Sequence, residues 1–118
     1  MVRSRPIRVV LFVTLAGRQP VREWMNDLDS SSEKAVREAI ETTRLGWPTG
    51  MPVARSLGNR LWEIRTKTRR GQARVLFAFH GSVMVLLHGF IKKTAKTPRR
   101  EIELALKRSR ELASRGEP

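Results

Sequence analysis

The 118-residue sequence contains no cysteine, no tyrosine and only two histidines, His80 and His88. Without cysteine, neither a disulfide framework nor a thiolate metal site is possible. Two histidines are too few for a histidine-rich metal site. The absence of tyrosine removes one side chain that could transfer a proton during catalysis. The composition therefore predicts a protein that works without a metal or another cofactor.

Long apolar runs are also missing, since no stretch approaches the roughly 18 residues that suggest a membrane-spanning helix. Residues 7–15 are mostly apolar, but no signal-peptide cleavage site follows them. We interpret this run as a buried strand. We therefore expect a cytoplasmic protein with no membrane partner.

Acidic residues are scarce, with 11 Asp and Glu against 24 Lys and Arg, which gives a net charge of +13. Such an excess in a small domain predicts a polyanionic partner: nucleic acid, anionic lipid or an acidic protein segment. Lipid is the weakest candidate because no helix combines a basic face with a large aromatic face. The alternative is a basic surface that only confers solubility.

The periodic patterns predict a single α+β domain in the order strand, two helices, three strands and a helix. Residues 7–13 are rich in β-branched side chains and predict the first strand. Pro20 suits the first turn of a helix. Ser30 and Glu33 are spaced as a capping box for a second helix, which Gly46 ends. The short connection between the helices predicts an antiparallel helical hairpin.

The second half of the chain is predicted to be mostly antiparallel sheet. Residues 47–58 contain several prolines and glycines and predict a loop. Three strands with short hairpin connections follow at residues 60–68, 72–79 and 83–91. Thr97 and Pro98 suit the N-cap and first turn of the last helix. Residues 1–113 are expected to form one domain and residues 114–118 a frayed basic tail.

Alternation along the three strands sorts their side chains onto two faces. The helical hairpin should cover an apolar face, which carries Trp62, Ile64, Val75, Phe77, Phe79, Val83, Val85 and Leu87. The other face is expected to be exposed and cationic, with one carboxylate, one imidazole and one aromatic ring: Glu63, Arg65, Lys67, Arg74, His88, Phe90 and Lys92. A bulge in any strand would reverse part of this sorting.

Each of these side chains also has a structural interpretation. Arg65 and Arg74 could be solvated strand cations, and Glu63 could simply pair with a neighbouring cation. His88 could be a half-buried histidine, and Phe90 could pack against the last helix instead of stacking on a base. The convergence of two arginines and a histidine on one face favours a phosphate site.

Three segments resemble a known protein family. They are RLWEIR at 60–65, ARVLF at 73–77 and LLHGFIKKTAKTP at 86–98. With these segments and the predicted element order, the chain resembles the phage-derived, HigB-like branch of the RelE/ParE toxin superfamily. The resemblance implies a RelE-like fold: a small sheet with the helical hairpin on one face, and a C-terminal helix.

The same resemblance implies a toxin that cuts mRNA in the ribosomal A site. Its partner would be a cognate antitoxin, usually a HigA-like helix-turn-helix protein, and oligomers would form mainly through that complex. The family's phosphate-binding arginine falls on Arg74, its basic residues of the preceding strand on Arg65 and Lys67, and its last-strand cation on Lys92 or Lys93. Several relatives use a tyrosine or a second histidine near this end of the sheet, where this chain offers only lysine and threonine.

The expected catalytic residues are Glu63, Arg65, Arg74, His88 and Lys92, and the expected RNA-binding residues are Arg60, Lys67, Phe90, Lys93 and Lys96. RNA cleavage without a metal uses the adjacent 2′-hydroxyl as nucleophile, and cations stabilise the extra negative charge of the phosphorane. His88 or Glu63 is expected to accept the hydroxyl proton. Two alternatives remain: a ParE-like inhibitor of DNA gyrase, and a non-catalytic nucleic-acid-binding module.

Overall fold

A computed structural model describes residues 7–48 and 54–116. Its elements follow in the order β1 (Val9–Leu11), α1 (Pro20–Asn26), α2 (Ser30–Gly46), β2 (Ala54–Gly58), β3 (Leu61–Thr68), β4 (Gly71–His80), β5 (Val83–Lys92) and α3 (Arg99–Arg115). The fold is α+β, and the strands form one sheet in the order β1-β5-β4-β3-β2. β1 runs parallel to β5, whereas every other neighbouring pair is antiparallel. In the described part of the chain, no helix combines the length and apolar character needed to cross a membrane.

The two N-terminal helices follow the predicted hairpin, with Pro20 first in α1 and Gly46 last in α2. The predicted capping box of Ser30 and Glu33 is wrong. The N-cap of α2 is Asp29, whose carboxylate accepts a hydrogen bond of 3.2 Å from the backbone N–H of Ser32. Aspartate suits this position because its side chain accepts from the first helical turn and its charge complements the helix dipole.

β2 lies within the segment that the sequence pattern predicts to be a loop, so this prediction is wrong for residues 54–58; residues 49–53 lie outside the described part. β2 and β3 form a hairpin with a two-residue turn at Asn59 and Arg60. Both turn residues have positive φ, 54° and 63°. This conformation is the one that matches the twist of paired strands. Arg60 therefore lies in a turn and not in a strand.

Both faces of the sheet are covered by helices. α1 and α2 cover one apolar cluster, which includes Val21, Val36, Ile40, Ile64, Val75, Phe77, Met84 and Leu86. α3 covers a second cluster on the other face, which includes Phe12, Leu61, Leu76, Ala78, Val85, Leu87, Phe90, Ala105 and Leu112. The face expected to be open and cationic is thus largely closed by α3.

A register shift in the β4–β5 pair overturns the predicted faces of β5. Leu76 pairs with His88, but the next residue, Phe77, pairs with Leu86, which leaves Leu87 as an extra residue. Such a bulge reverses the alternation on one side of it. As a result, Met84 and Leu86 face the helical hairpin. The predicted assignment of Val83, Val85 and Leu87 to that face is wrong, since they lie on the α3 face.

The ends of α3 also differ from expectation. Its N-cap is Pro98, which offers no side-chain cap, and Thr97 is buried instead of capping the helix. The helix runs through Arg115, two residues further than expected, and Gly116 ends it with a left-handed φ of 72°. Arg115 donates a hydrogen bond of 2.7 Å to the carbonyl oxygen of Val13, which holds this end of the helix against the residues after β1.

Candidate nucleic-acid interface

Glu63, Arg74 and Thr97 form a buried polar network on the α3 face of the sheet. Their exposed fractions are 0%, 0% and 5%. The hydroxyl of Thr97 donates to Oε2 of Glu63, and Nη1 of Arg74 donates to the hydroxyl oxygen of Thr97 at 3.2 Å. Nη2 of Arg74 donates to the carbonyl oxygen of Thr94 and, at 3.3 Å, to Oε1 of Gln72. The network fastens the residues between β5 and α3 onto β3 and β4.

The guanidinium of Arg74 is inaccessible to solvent in this arrangement. Burial, followed by the charge of nearby Arg65, lowers the pKa of Arg74, although an arginine stays protonated in a protein. Its Nε is buried without a partner. The predicted exposure of Arg74, and likewise of Glu63, is wrong because α3 and the segment before it cover both side chains. A phosphate cannot reach Arg74 while that segment is in place.

Arg65 lies directly opposite Arg74 in the β3–β4 pair, but its side chain reaches solvent, with an exposed fraction of 19%. Its Nε donates to Oε1 of Glu63 at 2.5 Å, and its Nη2 donates to the carbonyl oxygen of Ala95 at 2.7 Å. Its third nitrogen, Nη1, has no acceptor among the described residues. Because charge-assisted hydrogen bonds are strong, buried Glu63 holds Arg65 in one orientation with N–H donors left for a ligand.

Two clefts meet at Arg65. The first cleft, of about 480 Å³, lies beside the β3–β4 turn and is lined by Arg65, Lys67, Thr68, Arg69, Gly71, Gln72, Lys93, Thr94 and Ala95. The second cleft, of about 460 Å³, lies between β2 and the start of α3 and is lined by Arg55, Ser56, Leu57, Arg65, Ala95, Lys96, Thr97 and Ile102. No carboxylate is among these lining residues. Nor does the described part contain a group of three His, Asp or Glu side chains that could hold a metal ion.

Some of the cations that were expected to bind RNA line the two clefts, and others lie outside them. Lys67 and Lys93 line the first cleft, and Lys96 lines the second. Lys92 is half-buried at the end of β5 and lines neither of the two clefts. Arg60 is exposed in the β2–β3 turn and also lines neither. The cationic surface is therefore centred on Arg65 and the segment after β5.

His88 lies beneath α3, away from both clefts. Its Nε2 is 2.6 Å from Oε1 of Glu101, and its Nδ1 is 3.5 Å from Nη1 of Arg108. Because Arg108 can only donate, Nδ1 accepts and the Nε2–H group donates to Glu101. Burial lowers the pKa of His88, against the opposing effect of Glu101. Both ring nitrogens are thus engaged, and neither is directed at a cleft.

Phe90 is the aromatic side chain that was expected to be exposed, and that expectation is wrong. Its exposed fraction is 8%, and it packs in the apolar cluster under α3. Its ring stacks on His88 with centroids 5.4 Å apart. The structural interpretation, in which Phe90 packs against the last helix, is confirmed.

Two further cations, Arg55 and Arg69, line the clefts without being predicted from the sequence. Arg55 lies on β2 in the second cleft. Arg69 lies in the β3–β4 turn, lines the first cleft and has its Nη2 3.6 Å from Oδ2 of Asp29. The glycine and asparagine at positions 58 and 59 could have indicated a turn there, and therefore a strand before it that contains Arg55.

A family model for phage-derived Gp49-like proteins (DUF891) matches residues 23–110, well over half of the chain. The chain belongs to this family. The matched range runs from α1 into α3 and contains both clefts and the buried network. No curated protein matches the sequence. The candidate interface is thus part of the Gp49-like domain itself.

Proposed function

We propose that this Gp49-like protein is the toxin of a type II toxin–antitoxin pair and that it cleaves mRNA on the ribosome. Membership in a toxin-like family supports the first part. The similarity of its sequence segments to HigB-like toxins supports RNA as the target. The clefts add a cationic surface without carboxylates, which suits a phosphate backbone.

One observation carries the proposal: Arg65 lines both clefts, is held by buried Glu63 and keeps free N–H donors. In metal-independent RNA cleavage, the 2′-oxygen attacks the adjacent phosphorus and the bond to the 5′-oxygen breaks. The intermediate phosphorane carries more negative charge than the phosphodiester. A pre-oriented donor at that charge accelerates such a reaction by about a hundred- to a thousandfold.

The other charged residues have different roles in this proposal. Arg74 positions the segment after β5 and does not touch RNA, because it is buried and bonded to Thr94 and Thr97. Lys67, Lys93 and Lys96 bind flanking phosphates, and one of the lysines supplies the proton to the leaving 5′-oxygen.

No carboxylate or imidazole is among the lining residues of the two clefts, so in this proposal the 2′-hydroxyl proton passes to water. Glu63 is buried and accepts from Arg65 and Thr97, while both nitrogens of His88 are engaged under α3. We therefore assign most of the rate enhancement to the cations, and the orientation of the mRNA to the ribosome. This division predicts weak cleavage of free RNA.

The test is growth arrest and primer extension on cellular mRNA with Arg65→Ala. We expect cleavage to fall about a hundredfold or more. Arg65→Lys keeps the charge but not the arginine hydrogen bonds and should recover only part of the activity. Arg110→Ala removes an exposed cation of α3 outside the clefts and is the matched control. Wild-type cuts from folded Arg65→Ala would refute the proposal, and altered plasmid supercoiling without mRNA cuts would favour gyrase inhibition.

A non-catalytic nucleic-acid-binding module is the second candidate. It is favoured by the fact that neither Glu63 nor His88 faces the clefts. This function predicts RNA binding that weakens steeply with salt and no mRNA fragments, even on translating ribosomes. Incubation of the purified protein with translating ribosomes separates the two candidates.

The proposed partners are the ribosome with its mRNA in the cytoplasm and a helix-turn-helix antitoxin. A small helix-turn-helix reading frame beside the gene, and co-purification of its product with the toxin, are the expected findings. Oligomers are expected to form through that complex, which the mass of the toxin alone and with its antitoxin would check.

A further inference from the structure

We propose that the two clefts form one continuous track for single-stranded RNA and that Arg55 binds a second phosphate, next to the one at Arg65. This inference rests on the proposed function and deepens it. It assigns a role to a residue of β2 and a path to the RNA strand.

The first step is that the two clefts are joined. Both are lined by Arg65 and Ala95, and Nη2 of Arg65 donates to the carbonyl oxygen of Ala95 at 2.7 Å. This contact bridges β3 and the segment after β5, so one cleft opens on each side of it. A strand that crosses the bridge passes from the first cleft into the second and stays in contact with Arg65.

The second step is the position of Arg55. Arg55 pairs with Glu63 across the β2–β3 hairpin, and Arg65 lies two residues further along β3. Opposite residues and alternate residues share a face, so Arg55 and Arg65 are diagonal neighbours, with Cα atoms about 7–8 Å apart. Two neighbouring cations on one face suit consecutive phosphates of one strand. Arg55 is exposed and, within the described residues, has no hydrogen-bond or ion-pair partner.

The third step is electrostatic. Arg55, Arg65 and Arg74 are close enough that the charges of the first two contribute to lowering the pKa of Arg74. Glu63 is the one carboxylate among them that opposes this effect. Three guanidinium groups around one buried carboxylate leave an excess of positive charge, and the repulsion is relieved when one phosphate binds at Arg65 and the next at Arg55.

The fourth step concerns the class of the anion. Beside Arg55 and Lys96, the second cleft is lined by the half-buried apolar side chains of Leu57 and Ile102. A nucleotide joins a phosphate to a base whose flat faces are apolar and so matches both kinds of lining, whereas a peptide of acidic residues alone matches only the cations. No aromatic ring lines either cleft. Since aromatic rings provide the stacking platforms for bases, we expect the phosphates to contribute most of the affinity.

The test measures binding of 2′-O-methylated RNA, which cannot be cleaved, so affinity is separated from catalysis. A labelled hexanucleotide is followed by fluorescence anisotropy at several salt concentrations, and a dinucleotide with one phosphate is measured by competition. Arg55→Ala should weaken binding of the hexanucleotide several-fold. It should also reduce the slope of log affinity against log salt concentration by about 0.7, the value for one phosphate of a single strand. The affinity for the dinucleotide should not change. Arg65→Ala should weaken binding of both RNAs, and Arg110→Ala should weaken binding of neither.

The outcomes separate the track from the proposed function. If Arg65→Ala weakens binding of both RNAs while Arg55→Ala weakens binding of neither, the proposed track is wrong and the proposed site at Arg65 stands. If neither variant weakens binding, the track and the proposed site are both wrong. A hexaglutamate peptide that binds as tightly as the hexanucleotide, with the same dependence on Arg55, would overturn the assignment to RNA in favour of an acidic protein segment. An unfolding transition well above the temperature of the binding experiment checks that each variant is folded.

Discussion

The two faces of the sheet bury side chains of different kinds in adjacent positions. Ile64 and Val75 pair across β3 and β4 and belong to the apolar cluster under α1 and α2. The residues just before them, Glu63 and Arg74, are equally buried on the α3 face but are charged. Burial of the apolar pair stabilises the fold directly. Burial of the charged residues is costly without partners, and their hydrogen bonds instead fix the segment that borders both clefts.

The largest expected effect comes from Arg74→Ala. Loss of this large, fully buried side chain leaves a cavity and removes the donor to the Thr97 hydroxyl and the Thr94 carbonyl oxygen, and we expect the free energy of unfolding to fall by about 3–5 kcal/mol. The segment after β5 should then loosen, so mRNA cleavage per folded molecule should fall as well. Chemical denaturation and primer extension measure the two effects.

Ile64→Ala on the opposite face is the matched control for that experiment. We expect a comparable loss of stability, about 2–5 kcal/mol, but unchanged cleavage per folded molecule, because Ile64 lines neither cleft. If both variants lose cleavage equally, or if Arg74→Ala loses none, the two faces do not divide their roles in this way.

A smaller effect is expected for Gly89→Ala. A Cβ atom at this position would overlap the ring of Trp24, on the side of the sheet that α1 covers. The ring must move, and overpacking of this kind costs about 1–3 kcal/mol. The unfolding midpoint should fall while RNA affinity stays unchanged. A stable variant would show that Trp24 moves aside freely.

The smallest effect concerns the pH dependence of stability through His88. Burial lowers the pKa of His88 in the folded protein below its ordinary value of 6.5, so the unfolded chain binds a proton that the folded chain does not. Stability is therefore complete above pH of about 6.5 and falls as the pH drops below it. Between pH 7 and pH 5, the unfolding free energy of His88→Gln should decline less steeply than that of the wild-type protein. An identical decline in both proteins would show that other groups cause the pH dependence.

Local patterns predicted much of the fold, because apolar spacing along each helix and each long strand does not depend on distant residues. The helical hairpin from Pro20 to Gly46 and the three long strands could be predicted in this way. β2 could not be predicted, since it is a short edge strand with a polar surface and lacks an apolar pattern. The bulge at Leu87 was equally inaccessible, because it is defined only by the register against β4.

For the candidate site too, local features could be predicted from the sequence and tertiary features could not. Strand alternation correctly put Glu63, Arg65 and Arg74 on one face, since alternation is a local property. Whether that face is exposed depends on where α3 packs, and this is a tertiary effect. The coverage by α3 turned the expected open patch into a buried network with Arg65 at its edge, and it moved His88 out of the site.

The contact of Arg115 with Val13 also bears on the order in which the molecule is assembled. Its guanidinium donates to the Val13 carbonyl oxygen and lies over the ring of Phe12, 5.3 Å from its centroid. α3 follows the whole sheet in the chain, so it leaves the ribosome after the strands that it covers. Until α3 and the segment before it are in place, Glu63 and Arg74 lack the cover that they have in the finished fold.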